Sequence, residues 1–339
     1  KLADILIVST MDQSHYKHVM KALDVGYDIL LEKPIAVTEE ECHKIAEKAK
    51  NLDRKVAVCH VLRYTPFYKK LKELLDLNTI GKVRSITQTE NVGYYHYAHS
   101  YVRGNWRRGD VTSPMVVAKC CHDFDIIKWL IGAECTAISS FGNLDYFKKE
   151  NAPKGSADNC YKCRIDCPYN AIKFYEKNPD WFMIFSLDPD VRKVLSNPDH
   201  PYGKCVYKCD NNVVDNQVIN MVFANNAVAQ LNMTAFSNEM HRNLKIHGTI
   251  GEIEGDLEGM TIMVKIFGGK TETIDVRAMA SDFSGHAGGD KRMILDFINN
   301  VRDKSGKIAL TDISEALDSH KMAFRAEESR LLGGQLKTI

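Results

Sequence analysis

The sequence predicts an α/β unit with a parallel, doubly wound sheet. A second domain follows, built on a large, mostly antiparallel sheet with packed helices. Three observations carry this. A short apolar run, Ile29, Leu30 and Leu31, stops at Glu32-Lys33-Pro34, and Thr38 with glutamate three residues on then signals a helix start. Apolar strands alternate with helical periodicity as far as about residue 80. From Val83 the pattern changes to longer period-two strands and hairpins.

In chain order, Ala3 to Val8 reads as a buried parallel strand. Asp12 or Ser14 is expected to cap a helix in which Tyr16, Val19, Met20 and Leu23 recur at helical spacing, with Gly26 as its stop. Residues 28–31 form the next strand. The helix after Thr38 packs through Cys42, Ile45, Ala46 and Ala49, and Val56 to Val58 is a further strand. Pro66 opens a helix carrying Phe67, Leu71, Leu74 and Leu75. Gln217–Phe223 and Ala227–Phe236 flank an Asn225-Asn226 turn, and Met260–Ile266 and Thr271–Val276 flank Gly268-Gly269. Two helices close the chain, one through Ile294, Phe297, Ile298 and Val301, the other through Ile313, Leu317, His320 and Phe324. On that apolar stripe His320 reads as a packed residue. The expected division is 1–80 and 81–330, with residues of about 151–204, rich in Pro, Asn, Asp and Cys, as an insertion on the second domain.

With 44% hydrophobic and 26% charged residues and a net charge of +1, the composition is that of a soluble globular protein. There is no excess of positive charge to suggest nucleic acid, and no apolar run approaches a membrane span. Half of the ten cysteines are scattered like reduced core thiols, which favours the cytoplasm.

Four groups of residues are suited to chemistry. Glu32 and Lys33 fall at the carboxyl end of a strand, where ligands of parallel sheets bind, and Pro34 restrains the lysine. Lys119, His122 and Asp125 recur every third residue, so one helix strip can gather an amine, an imidazole and a carboxylate. In Arg103-Gly104-Asn105-Trp106-Arg107-Arg108, arginine forks suit carboxylates or sugar hydroxyls and tryptophan offers a flat face. His286, in Ser284-Gly285-His286-Ala287-Gly288-Gly289-Asp290, sits at a helix mouth as a substrate loop, and Asp215 offers a further hydroxyl-binding group. Separately, Cys160-x-x-Cys163-x-x-x-Cys167-Pro168, with Cys205 and Cys209 beyond, leaves three readings open: a structural zinc knot, disulfides, or part of an iron–sulfur ligand set.

Together, Ser9-Thr10-Met11-Asp12-Gln13-Ser14-His15, Glu32-Lys33-Pro34 and Lys119-Cys120-Cys121-His122-Asp123-Phe124-Asp125 resemble the Gfo/Idh/MocA family of NAD(P)-dependent sugar and polyol oxidoreductases. The resemblance implies a Rossmann-type first domain and a cofactor, NAD or NADP. It places Thr10, Asp12, His15, Glu32, Lys33, Arg63, Trp106 and Arg107 against that cofactor and Arg103, Asp125, Asp215 and His286 near a sugar, sugar acid or cyclitol. Lys33, His122 and Lys119 would be the catalytic groups. It also implies self-association through the second-domain sheet. Family members commonly carry aspartate four residues before the histidine, where this chain has Ala118. No Gly-x-Gly-x-x-Gly precedes the first strand, so two further βα units are expected in front of it. Beside the dehydrogenase reading stand two others: transient oxidation that cleaves a glycosidic bond, and a binding or regulatory module without catalysis.

Overall fold

The structure is a computed structural model and describes residues 1–303, 305 and 308–339. Its first sheet has three parallel strands, β1 (Ile5–Val8), β2 (Asp28–Leu31) and β3 (Val56–Val58), in register at Ile7↔Leu30 and Leu30↔Ala57. Two crossover helices join them, α1 (Asp12–Val25) and α2 (Glu39–Asn51). Thr38 caps α2 by accepting from the Glu41 N–H at 3.2 Å. Gly26 ends α1 at φ +87°, a conformation that glycine adopts without strain. Neither Asp12 nor Ser14 caps α1. Met11 holds the cap position with no side-chain bond, and the Asp12 carboxylate, one residue into the helix, accepts from Trp106 of the second domain instead.

Alternation along the strands divides the apolar surface. Ile29, Leu31, Val56 and Val58 pack with Val19, Leu23 and Ile45 of α1 and α2. Leu30 and Ala57, on the opposite face, pack with Met293 and Phe297 of a helix near the end of the chain.

Between β3 and the second sheet lie α3 (Pro66–Asp76), opened by Pro66 behind a Thr65 cap, and then β4 (Val83–Asn91). Short helices α4 (Tyr94–Tyr97) and α5 (Met115–Ala118) precede α6 (Cys121–Ile131) and β5 (Cys135–Asn143). The insertion folds as α7 (Ala171–Lys177), α8 (Pro179–Met183) and α9 (Val191–Leu195) around a small core of Ile172, Tyr175, Phe182 and Leu195. The expected hairpins are present as β6 (Asn216–Phe223) with β7 (Val228–Thr234), and β10 (Thr261–Ile266) with β11 (Thr271–Asp275). Between them run β8 (His241–Gly248) and β9 (Gly251–Asp256).

After β11 come α10 (Gly285–Arg302), α11 (Ile313–Leu331) and a short β12 (Lys337–Thr338). The large sheet has the order β11-β10-β9-β8-β4-β7-β6-β5-β12 and is antiparallel throughout except for β4 against β7. Its inner face, with Ile86, Ile219, Leu231 and Ile246, packs in one core with Phe124 and Ile127 of α6. Helices α10 and α11 return to the first sheet, contributing Phe297 to one face and Ile313 to the other. No helix among the described residues is long and apolar enough to cross a membrane.

Candidate active site

Residues from both sheets meet where β1 and β2 end against α5 and α6. Lys33 leaves β2 and donates from Nζ to the Ala118 carbonyl at 2.9 Å. Helical hydrogen bonding is interrupted between α5 and α6, with Lys119 at φ −107° and Cys120 near φ −91°, ψ 1°. That break turns Lys119 off the strip it was expected to share with His122 and Asp125.

Lys119 instead enters a buried charge cluster that the sequence reading missed. Its Nζ lies 3.3 Å from Glu90 Oε1. Arg242 donates from Nε to Asp123 Oδ1 at 3.0 Å, and Glu90 Oε2 lies 2.6 Å from the same Nε. That nitrogen has one hydrogen, so Glu90 Oε2 is held by charge rather than by an aligned bond. Gln88 Nε2 donates to Asp123 Oδ1 at 2.6 Å. Burial lowers the Lys119 pKa, with Arg242 and Lys33 adding to the effect against the opposing pull of Glu90. Burial raises the Asp123 carboxyl against the pull of Arg242. One sequence signal was available: Ile86, Gln88 and Glu90 share the inward parity of β4, which puts a carboxylate on a core-facing position.

His122 is 7% exposed and its Nδ1 has no hydrogen-bond partner among the described residues. Burial, then the Lys33 charge, hold its pKa well below 6.5, so the imidazole is neutral. Its ring centroid lies 5.7 Å from that of His60, which stacks on His320 at 5.4 Å. His320 is packed as expected: Ile35 N–H reaches its Nε2 at 3.0 Å and its Nδ1 faces the Ala316 carbonyl at 2.9 Å.

Several residues expected to touch ligand are consumed by partners within the chain. Arg63, expected at the cofactor, is 3% exposed and grips Asp125 with two bonds of 2.7 Å. Asp125 is therefore not free for substrate. Burial works against its ionised form, but His60 and Arg63 outweigh it and hold the carboxyl at about 2. Arg103, expected near the substrate, is likewise engaged within the chain. It is buried and donates to the carbonyls of Lys204 and Tyr169, both at 2.7 Å. Asp215 is also buried, accepting from the Asp145 and Tyr146 N–H groups at 3.0 and 2.8 Å, so it orders a turn. His15 is buried with its ring nitrogens 2.8 Å from the carbonyls of Pro34 and Thr10, so it staples the Lys33-Pro34 segment to the end of β1.

The remaining expected residues stay at the boundary. Trp106 donates from its indole N–H to Asp12 Oδ2 at 2.9 Å, bridging the two domains. Burial raises the Asp12 pKa, with Lys33 and Trp106 pulling it back. Gly104 allows that approach, since a Cβ there would stand 2.6 Å from the His99 carbonyl oxygen. Arg107 pairs with Asp210 at 2.6 Å, Thr10 is exposed with its hydroxyl 3.0 Å from His18, and Glu32 accepts from the Lys33 N–H at 3.3 Å. His286 is exposed and bonded to Asp290 at 2.9 Å, in a left-handed turn with φ +40°.

The insertion reaches this boundary too. His96 packs on Tyr101 at 6.0 Å and on Trp181 of α8 at 5.2 Å. Burial first, then the Lys119 charge, hold the His96 pKa well below 6.5. The five cysteines of the motif carry free thiols. Among the described residues, three ligand atoms converge within 4.8 Å at His60, Cys121 and His320, and at His241, Asp256 and Glu258. In the first set His60 and His320 are stacked on one another and both nitrogens of His320 are engaged, and the second is a surface cluster. An open trough of about 620 Å³ between Thr87, Asn243, Lys245, Glu254 and Met263 lies on the opposite face of the large sheet from Glu90.

This geometry is that of a two-domain oxidoreductase. Residues 1–60 match the description "Oxidoreductase family, NAD-binding Rossmann fold" and residues 72–333 match "Oxidoreductase family, C-terminal alpha/beta domain". The chain belongs to that family, Gfo/Idh/MocA, as its motifs indicated. It is 24% identical over 310 residues to YteT of Bacillus subtilis, an oxidoreductase by name, covering 86% of this chain and 71% of that one. It is 27% identical over 145 residues to a scyllo-inositol 2-dehydrogenase (NAD(+)) of the same organism, 42% of this chain and 39% of that one. A solved inositol dehydrogenase homologue from Azotobacter vinelandii, complexed with NAD+, superposes with a TM-score of 0.70 at 14% identity, covering 99% of this chain and 78% of that one.

Proposed function

We propose that the protein moves hydride between NAD or NADP and a hydroxyl-bearing carbon of a sugar, sugar acid or cyclitol. One observation carries the reading. At the Ala118 carbonyl, Lys33 reaches across from the first domain, and one turn on, the buried and neutral His122 keeps an unpartnered Nδ1. A carbon that gives up hydride to become a carbonyl must also release its hydroxyl proton. His122 accepts that proton, and the N–H groups of Lys33 not used by Ala118 orient the hydroxyl oxygen. Lys119, with its lowered pKa, assists, while Glu90, itself paired with Arg242, holds its amine. Thr10, Glu32 and Lys33, at the carboxyl ends of β1 and β2, stand where ligands of parallel sheets bind. They would hold the nicotinamide, which supplies the hydride site. The same reading gives the protein a cytoplasmic place of action and self-association through the outer face of the large sheet.

The test is incubation with NAD+ or NADP+ and a panel of cyclitols, aldoses, sugar acids and nitrophenyl glycosides, following reduced nicotinamide and free nitrophenol. Reduced nicotinamide with a polyol or sugar is the expected result. Nitrophenol release without net reduction moves the assignment to glycoside cleavage. Nucleotide binding with neither product refutes it.

A further inference from the structure

We infer that Cys160, Cys163, Cys167 and Cys205 form a tetrathiolate site for a soft divalent metal of the zinc class, and that this site is the counter-ion of Arg103. The first observation is a buried charge that lacks a partner. Arg103 is 4% exposed, yet its contacts are two backbone carbonyls and Cys160 Sγ at 3.6 Å. Among the described residues no carboxylate pairs with it. A guanidinium taken out of water needs negative charge beside it, and two carbonyl dipoles do not supply a unit charge.

The second observation is the cavity beside it. Cys160, Cys163, Cys167 and Cys205 line one small cavity of about 20 Å³ together with Arg103. That volume admits roughly one water-sized occupant, and therefore a single ion. Backbone pairing sets the ligands up: Cys160 N–H donates to Gly203 O at 2.8 Å and Cys205 N–H to Asp158 O at 2.9 Å. This antiparallel rung brings the first and last cysteines together, and the tight turn from Cys160 to Cys163 (N–H to carbonyl, 3.2 Å) supplies the second. Cys209 does not line the cavity; its thiol rests 3.3 Å from the Cys205 carbonyl.

Among the described residues no three of these sulfurs converge within 4.8 Å, so closing the set requires side-chain rotation, for example at Cys160, whose sulfur lies 3.9 Å from the Lys204 carbonyl. Four thiolates and one divalent ion carry two net negative charges, which the guanidinium offsets in part. Metal loading releases the four thiol protons to solvent, with no change of oxidation state. The consequence reaches the site, because Arg103 ends the turn that leads through Gly104 to Trp106 and its bond to Asp12.

The experiment uses the whole chain purified under reducing conditions without added metal. Roughly one zinc per chain is expected by elemental analysis. Replacement with cobalt should give the intense visible absorption of a tetrahedral thiolate complex. The four thiols should react with a thiol reagent only after a chelator has removed the ion. Cys163→Ser and Cys167→Ser should lose the metal, whereas Cys209→Ser should keep it. The cobalt spectrum of the unaltered chain decides the matter if a variant does not fold. Sub-stoichiometric metal after incubation with zinc, thiol reactivity indifferent to the chelator, disulfides among these cysteines in unreduced peptide maps, or iron with acid-labile sulfide would each overturn the inference.

Discussion

Acid should unlatch the Lys33 segment through His320. In the folded chain one neutral tautomer satisfies both contacts of this ring: Nδ1–H donates to Ala316 O at 2.9 Å and Nε2 accepts from Ile35 N–H at 3.0 Å. Protonating Nε2 would set two N–H groups against each other in a fully buried position stacked on His60. Burial, followed by the nearby His60, lowers the pKa from 6.5 to about 3. The ring must therefore stay neutral to fold, while the unfolded chain takes up a proton below pH 6.5. Stability is fully present above that value and is lost as pH falls toward 3.

At about 1.36 kcal/mol per pH unit the full loss is roughly 5 kcal/mol, and between pH 7.5 and 5 it is about 2 kcal/mol. Against a typical total of about 5–15 kcal/mol that is a large fraction. His122 and His96, held well below 6.5 by burial, act in the same direction. Urea unfolding followed by circular dichroism should be compared for the wild type and His320→Gln at pH 7.5, 6 and 5. Gln keeps an acceptor for Ile35 but does not titrate, so the gap between the two proteins should narrow by about 2 kcal/mol across that range. A gap that stays constant to within about 0.5 kcal/mol would remove His320 from the acid response.

Lys33→Met should lower kcat by about 10²–10⁴ on whichever polyol or sugar is active, as loss of a positioning or acid–base group does. His122→Ala should act likewise, the double variant should lose less than the product, and near-normal turnover in Lys33→Met would leave Glu-Lys-Pro as a turn only. Arg63→Met strands the Asp125 carboxylate in the interior and should cost about 3–5 kcal/mol in urea unfolding; a stable variant with only a raised KM for the nucleotide would return Arg63 to the cofactor. Trp106→Phe keeps the ring but removes the donor to Asp12, so it should destabilise by about 1.5–3 kcal/mol at neutral pH. Because the Asp12 pKa is raised, that penalty should shrink as pH falls through its titration, and a pH-independent penalty would contradict the bond's role.

What the sequence disclosed was local. Thr38 with Glu41, Pro66 and Gly26 each mark a helix start or stop within four residues, and the hairpins at Asn225-Asn226 and Gly268-Gly269 are adjacent in the chain. Period-two and helical spacing report such contacts directly. The site was less legible because its bonds are long in sequence: Arg63 to Asp125 spans 62 residues, Lys33 to Ala118 spans 85, and Arg242 to Asp123 spans 119. Periodicity also assumes an unbroken helix. The interruption between Ala118 and Cys121 sends Lys119 to Glu90 and leaves Asp125 with Arg63, so three residues on one expected strip serve three surroundings.

Three residues expected at the ligands share a physical feature. Arg63, Asp125 and Asp215 are each less than 5% exposed, and each is bonded to partners within the chain. A buried guanidinium or carboxylate must find its partners during folding, and once they are found it has nothing left to offer a ligand. Lys33 and His122 differ: the amine gives one bond to a carbonyl and the imidazole keeps a nitrogen without a partner. The sequence reading singled out all five. On the proposed reading, the hydrogen-bonding capacity left to Lys33 and His122 at the boundary between the two sheets is what allows them to act on a substrate.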